Sequence, residues 1–217
     1  MGSAVSVQAM AGKLSTGVEV LDRELDGGLP AGSVVAYQAP AASQGELLLY
    51  ELTRPRETLY LTTVRTEDAV MDAIEATKAP TGSPSVQLVN GEDRIEDTRR
   101  AVRNAFERMT VVVDPIDPLE RADRARYERL LNEIRNHMIN TGGIAFLHAL
   151  ESDQTPPLRE TTQHMADVVL DLDVELKGGE VDTRLTVRKH RGGKIPSEAI
   201  KLDLTERVRV DTSRDIA

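Results

Sequence analysis

The run Val111-Val112-Val113, closed at once by Asp114, constrains the fold more than any other stretch of the chain. An unbroken β-branched run lacks the alternation of a half-exposed strand and suits a strand buried on both faces of a parallel sheet. Segments 33–37, 59–64, 86–89, 144–147 and 168–172 read as further strands. Helical patterns lie between them: a short apolar run at 47–52 stopped by Pro55, then 67–78, then Ile95, Val102, Phe106 and Met109 at helical spacing. The longest helix is expected over 119–140, with Tyr127, Leu130, Leu131, Ile134 and Met138 as its apolar stripe. Segments 184–187, 200–204 and 208–210 add a β-rich tail. This alternation predicts an α/β fold: a doubly wound, mostly parallel central sheet with helices on both faces and C-terminal antiparallel β additions at one edge.

A length of 217 residues with 40% hydrophobic content suits one domain. The expected organisation is a flexible lead-in at 1–13, a single domain at 14–210 and a tail at 211–217. No apolar stretch reaches the roughly 18 residues of a membrane span, and no signal-peptide pattern opens the chain, so a soluble cytoplasmic protein is expected. Met1, Gly2 and Ser6 match the loose myristoylation pattern, too small a match to carry weight. The absence of cysteine excludes disulfides, thiolate metal sites and cysteine nucleophiles. A net charge of −9 and a pI near 5.0 argue against non-specific binding to nucleic acid or anionic membranes. Arg121, Arg124, Arg126 and Arg129 alternate with Glu120, Asp123 and Glu128, the pattern of an ion-paired solvent face. His137, His148, His164 and His190 lack metal-ligand spacing, although His148 ends a buried strand on the side where open α/β sheets bind ligands.

The segment LSTGVEVLDRELDGGLPAGSVV, beginning at Leu14, resembles the entry to ATPase domains of the KaiC and RadA type in the RecA superfamily. The resemblance extends over about 14–204 and implies a RecA-like fold with a phosphate-binding loop after the first strand. That loop usually reads GPPGTGKT in the family; here it reads Ala39-Pro40-Ala41-Ala42-Ser43-Gln44-Gly45-Glu46. VVVDP, ending at Pro115, stands where the family carries its Walker B strand, and so gives Asp114 the Walker B position. RLTVRKHRGG, beginning at Arg184, is similar to the segment whose Lys-x-Arg finger reaches a neighbouring subunit's nucleotide; Lys189 and Arg191 match that finger. The acidic pair that follows the family's second strand is replaced by Thr62-Thr63-Val64-Arg65.

A phosphate loop works through backbone N–H groups at a helix start, a lysine ammonium and a hydroxyl on Mg²⁺. Gly45 takes the lysine position and Glu46 the hydroxyl position, and no Lys or Arg occurs from Ser33 to Thr53. Losing that charge-assisted bond costs about 1.5–3 kcal/mol, a tenfold to hundredfold loss of affinity. Pro40, Ala42, Ser43, Gly45 and Glu46 thus form a degenerate phosphate loop. Ser43-x-x-Glu46 also has the form of a capping box that closes the helix start on itself. Asp114 either holds magnesium with a bound nucleotide or caps the turn before Pro115. Lys189 and Arg191 are either a finger offered in trans or a solvated hairpin turn.

These readings lead to a catalytically degenerate KaiC/RadA-like homologue, a regulatory or scaffolding protein in signalling, transcription or DNA repair. No catalytic residue, cofactor or metal is expected beyond weak ATP and Mg binding. The expected partner is a protein, either an active KaiC/RadA-like relative or further copies of this chain; nucleic acid is disfavoured. Two alternatives stay open: a divergent ATP-binding protein or weak ATPase, and a RadA-paralogue-like recombination accessory.

Overall fold

Burial on both faces is met along β3 (Val34–Pro40), β4 (Thr58–Thr62) and β6 (Thr110–Asp114), whose side chains are inaccessible almost throughout. The computed structural model describes residues 12–205 and 208–210, so the first eleven residues of the expected lead-in and the whole tail at 211–217 lie outside the described residues. A short entry pair comes first, β1 (Lys13–Leu14) antiparallel to β2 (Leu29–Pro30), with α1 (Glu19–Glu24) between them. The Asp22 carboxylate draws this entry together, accepting from Thr16 N at 2.6 Å, Thr16 Oγ1 at 2.7 Å and Ser15 Oγ at 2.5 Å.

After β3 come α2 (Glu46–Glu51), β4, α3 (Glu67–Ala76), β5 (Ser85–Leu88), α4 (Arg94–Val102), β6, α5 (Arg124–Thr141), β7 (Ile144–Glu151), α6 (Arg159–Met165), β8 (Val168–Lys177), β9 (Glu180–His190), β10 (Ile200–Asp203) and β11 (Arg209–Val210). The main sheet has the order β11-β10-β9-β8-β3-β7-β6-β4-β5. From β8 to β5 all neighbours are parallel, and β9, β10 and β11 add antiparallel strands at one edge. One apolar layer packs α1, α2 and α3 residues such as Leu21, Leu49 and Ile74 on one face of the sheet. A second layer packs α4 and α5 residues such as Ile95, Tyr127 and Ile134 on the other. The doubly wound architecture is therefore as the alternation of patterns requires.

Two helices differ from the periodicity. The expected helix over 119–140 is broken: a 3-10 turn at Leu119–Arg121 is followed by extended Ala122, and α5 starts afresh with the Asp123 carboxylate accepting from Arg126 N at 3.1 Å. The break lets Glu120 turn fully inward, where Arg159 Nε donates to it at 2.8 Å. The pattern through Phe106 and Met109 ends early, since α4 stops at Val102, Arg108 takes φ 59° and Phe106 is exposed.

Candidate functional site

Sheet order and register place the site. β7 lies between β3 and β6, with Tyr37 level with His148, Val113 level with Leu147 and Thr62 level with Asp114. Asp114, Tyr37 and His148 thereby meet at the carboxyl ends of adjacent strands, the end where open α/β sheets place their ligands. The Tyr37 and His148 rings stack with centroids 5.3 Å apart and 20° between planes. Asp114 is 3% exposed. Its Oδ1 is 2.6 Å from His148 Nδ1, and its Oδ2 accepts from Tyr60 Oη at 2.5 Å and from Arg65 Nη2 at 2.7 Å.

Arg65 continues the chain of charges outward. Its Nη1 donates to Glu46 Oε2 at 3.2 Å and to Tyr50 Oη at 3.1 Å, and Tyr50 Oη donates to the same Glu46 oxygen at 3.1 Å. Burial alone would raise the Asp114 pKa, but the bond from His148 and the approach of Tyr60 and Arg65 outweigh it and bring it to about 2. Burial pushes Tyr50 up to about 12, and burial with the Asp114 charge pushes Tyr60 up as well, so both hydroxyls keep their protons to donate.

Glu46, the first residue of α2, and Arg65, just beyond β4, carry opposite charges, and the guanidinium joins Glu46 to Asp114. A cation does reach the loop, from β4's far end rather than from the loop itself. The sequence carries Glu46 and Arg65 as opposite charges 19 residues apart, and reading each position separately missed their pairing.

Loop 39–46 is closed on itself. Ser43 N donates to Pro40 O at 3.0 Å, Gly45 N to Ser43 Oγ at 3.2 Å, Leu47 N to Gln44 O at 3.1 Å and Leu48 N to Gly45 O at 3.2 Å. Pro40 ends β3, Ala42 is exposed, and Ser43 Oγ donates to Pro40 O at 2.7 Å. The expected capping box does not form. Gly45 is the N-cap of α2 with no side-chain cap bond, because the Glu46 carboxylate is held by Tyr50 and Arg65 and does not fold back to the helix start. Gly45 has its own steric reason: a Cβ there would stand 2.8 Å from Ala39 Cβ and 2.9 Å from Tyr37 Oη, whose hydroxyl donates to Gly45 O at 3.0 Å. With Tyr37 beneath the loop, a lysine in this position has no room.

Lys189 and Arg191 stand apart from this cluster. Lys189 Nζ donates to Gln163 O at 3.1 Å and His164 O at 2.7 Å, at the C-terminal end of α6. Arg191 Nη1 lies 3.3 Å from Asp167 Oδ1, which Arg135 also approaches at 3.3 Å. A cleft of about 1030 Å³ opens near them, lined by Gln38, Glu151, Arg159, Gln163, Asp171 and Lys189 among others, and it does not include Asp114 or Arg65. Among the described residues no group of His, Asp and Glu is arranged to hold a metal ion, and no helix is long and apolar enough to cross a membrane.

A doubly wound sheet with the loop after β3 and a carboxylate at the end of β6 defines the class: this is a KaiC-like fold of the RecA type. A KaiC-like protein from the hyperthermophilic archaeon Pyrococcus horikoshii has a similar structure, with a TM-score of 0.73 at 14% identity, covering 92% of this chain and 99% of that one. The chain belongs to a family of unknown function, DUF7125, whose model matches residues 13–217. No curated protein matches it in sequence.

Proposed function

We propose that this protein is a catalytically degenerate member of the KaiC-like fold, acting in the cytoplasm as a regulatory or scaffolding interaction protein. The observation that carries this reading is Arg65, bound at once to Asp114 and Glu46 where a nucleotide's magnesium and phosphates would have to enter. The residues present do not fit a magnesium-bound triphosphate. Asp114 already accepts three hydrogen bonds, Glu46 repels phosphate, the amides of Ser43 and Gly45 are engaged within the loop, and Tyr37 excludes a lysine at position 45. The cluster instead ties β4, β6, β7 and α2 into one rigid unit. Such a unit suits a domain that presents surfaces to partners, whether a relative with an intact site or further copies of this chain.

Titration of the purified chain with Mg-ATP by calorimetry tests the reading. The expected result is no binding tighter than about millimolar. A dissociation constant in the low micromolar range overturns it, as does phosphate release that disappears in Asp114→Ala.

A further inference from the structure

The β8–β9 hairpin reaches beyond the body of the sheet. The last residue of β8 paired with β3 is Asp171, and among the described residues no strand covers the same edge from Asp173 onward. The hairpin closes through Gly178 and Gly179, with φ of 61° and 92°, the two left-handed residues of a type I′ turn. In such a turn the closing pair, Lys177 and Glu180, exchanges both backbone hydrogen bonds, and so do alternate pairs below it, Glu175–Asp182 and Asp173–Arg184. The N–H and C=O groups of Leu172, Val174 and Leu176 therefore point away from β9, those of Leu172 toward the end of β3 and those of Val174 and Leu176 along the uncovered edge.

The two faces of this edge differ sharply. Leu172 is buried in the core, Val174 packs half-buried against it, and Leu176 is 75% exposed beside its cross-strand partner Val181, at 66%. An apolar strip thus runs from the core into solvent. The opposite face carries Asp171, Asp173 and Glu175 on β8 and Asp182 on β9 against three cations: Lys177 lies 2.6 Å from Glu175 and 3.2 Å from Asp182, Arg184 lies 2.9 Å from Asp182, and Arg188 binds Asp171. Glu151, nearby on β7, has its pKa raised by burial and then by Asp171 and Asp173, which marks the surplus of negative charge on this side.

We propose that the open edge of β8 receives an extended segment of a partner protein in which apolar and basic residues alternate. The inference rests on the interaction reading above and names its surface. Backbone bonds to Val174 and Leu176 supply affinity, and the two faces supply selectivity, apolar side chains lying over Val174 and Leu176 and Lys or Arg beside Asp173 and Glu175. A second copy of β8 suits the edge poorly, because it brings further acids against Asp173 and Glu175.

The test uses the full chain and a short fluorescent peptide of alternating Val and Lys, with anisotropy as readout and a peptide of the same composition in blocks as control. The alternating peptide is expected to bind about tenfold more tightly than the block peptide. Leu176→Pro, which removes an outward N–H without touching the ladder to β9, is expected to weaken it about tenfold. Asp173→Asn with Glu175→Gln is expected to weaken it by a similar factor and flatten its salt dependence, and involves no backbone change. Equal binding of both peptides, binding unchanged in both variants, or no binding each overturns the proposal, as does sedimentation showing a dimer that Leu176→Pro abolishes. Mg-ATP titrated into the same sample separates the failures. Peptide failure without ATP binding removes this surface alone, whereas tight ATP binding removes the reading of the fold.

Discussion

The Asp114 cluster and the outer half of the β8–β9 hairpin belong to one sheet and treat charge in opposite ways. Around Asp114, three donors converge on a carboxylate that is 3% exposed, and the next carboxylate outward, Glu46, shares the same guanidinium. On the hairpin, Asp173 and Glu175 share one face of an uncovered edge, while Leu176 stands 75% exposed on the other. The first region spends its charges on internal bonds. The second leaves the outward backbone groups of Val174 and Leu176 open to solvent. Burial accounts for the contrast, because charges removed from water must be paired within the fold, whereas an exposed strand can leave its groups to solvent until a partner arrives.

Substitutions can break or sharpen this contrast. Asp114→Ala leaves Arg65, Tyr60 and His148 without their acceptor and is expected to cost about 3–5 kcal/mol, read from urea unfolding. A loss near zero would show that the cluster does not hold the strands together. Acid gives the same information without mutation. The Asp114 pKa is depressed to about 2, so its stabilisation is complete above the ordinary carboxylate range near 4 and is lost as pH falls through about 2. That contribution is worth about 2 kcal/mol, and the acid dependence of unfolding should shrink by this amount in Asp114→Asn.

Smaller effects are expected further out. A double-mutant cycle with Arg65→Met and Glu46→Gln should give a coupling of about 0.5 kcal/mol, because Glu46 is largely exposed and water screens the pair. The smallest effect belongs to the hairpin. Leu176→Ser should leave the unfolding free energy within about 0.5 kcal/mol of the parent chain, since Leu176 is 75% exposed and its cross-strand partner Val181 is exposed as well. A loss of several times that size would mean the strip is structural and not a surface awaiting a partner.

Much of the architecture was legible in the chain. The Val111-Val112-Val113-Asp114 run became β6 at the sheet centre, and the apolar stripe from Tyr127 to Met138 became the buried face of α5. What escaped was local competition. Ser43 and Glu46 have capping-box spacing, yet Arg65 and Tyr50 engage the carboxylate first. The pattern over 119–140 reads as one helix, yet burial of Glu120 against Arg159 and capping by Asp123 divide it. In both places a partner distant in sequence, Arg65 or Arg159, takes a carboxylate that the local pattern assigns elsewhere.

By itself the sequence determined the order of strands and helices, the absence of a cation from 33–53 and the position of Asp114 at a strand end, since each depends on residue type and short-range period. Only the tertiary structure decided what replaced the missing cation. Arg65 is 49 residues from Asp114 and 19 from Glu46, and they meet because β4 lies beside β6, with Thr62 level with Asp114, and because α2 begins above the same strand ends. Strand order is a property of the whole packed sheet. The pairing of charges that follows from it, and the length of β8 left uncovered beyond β3, appear only once the sheet is assembled.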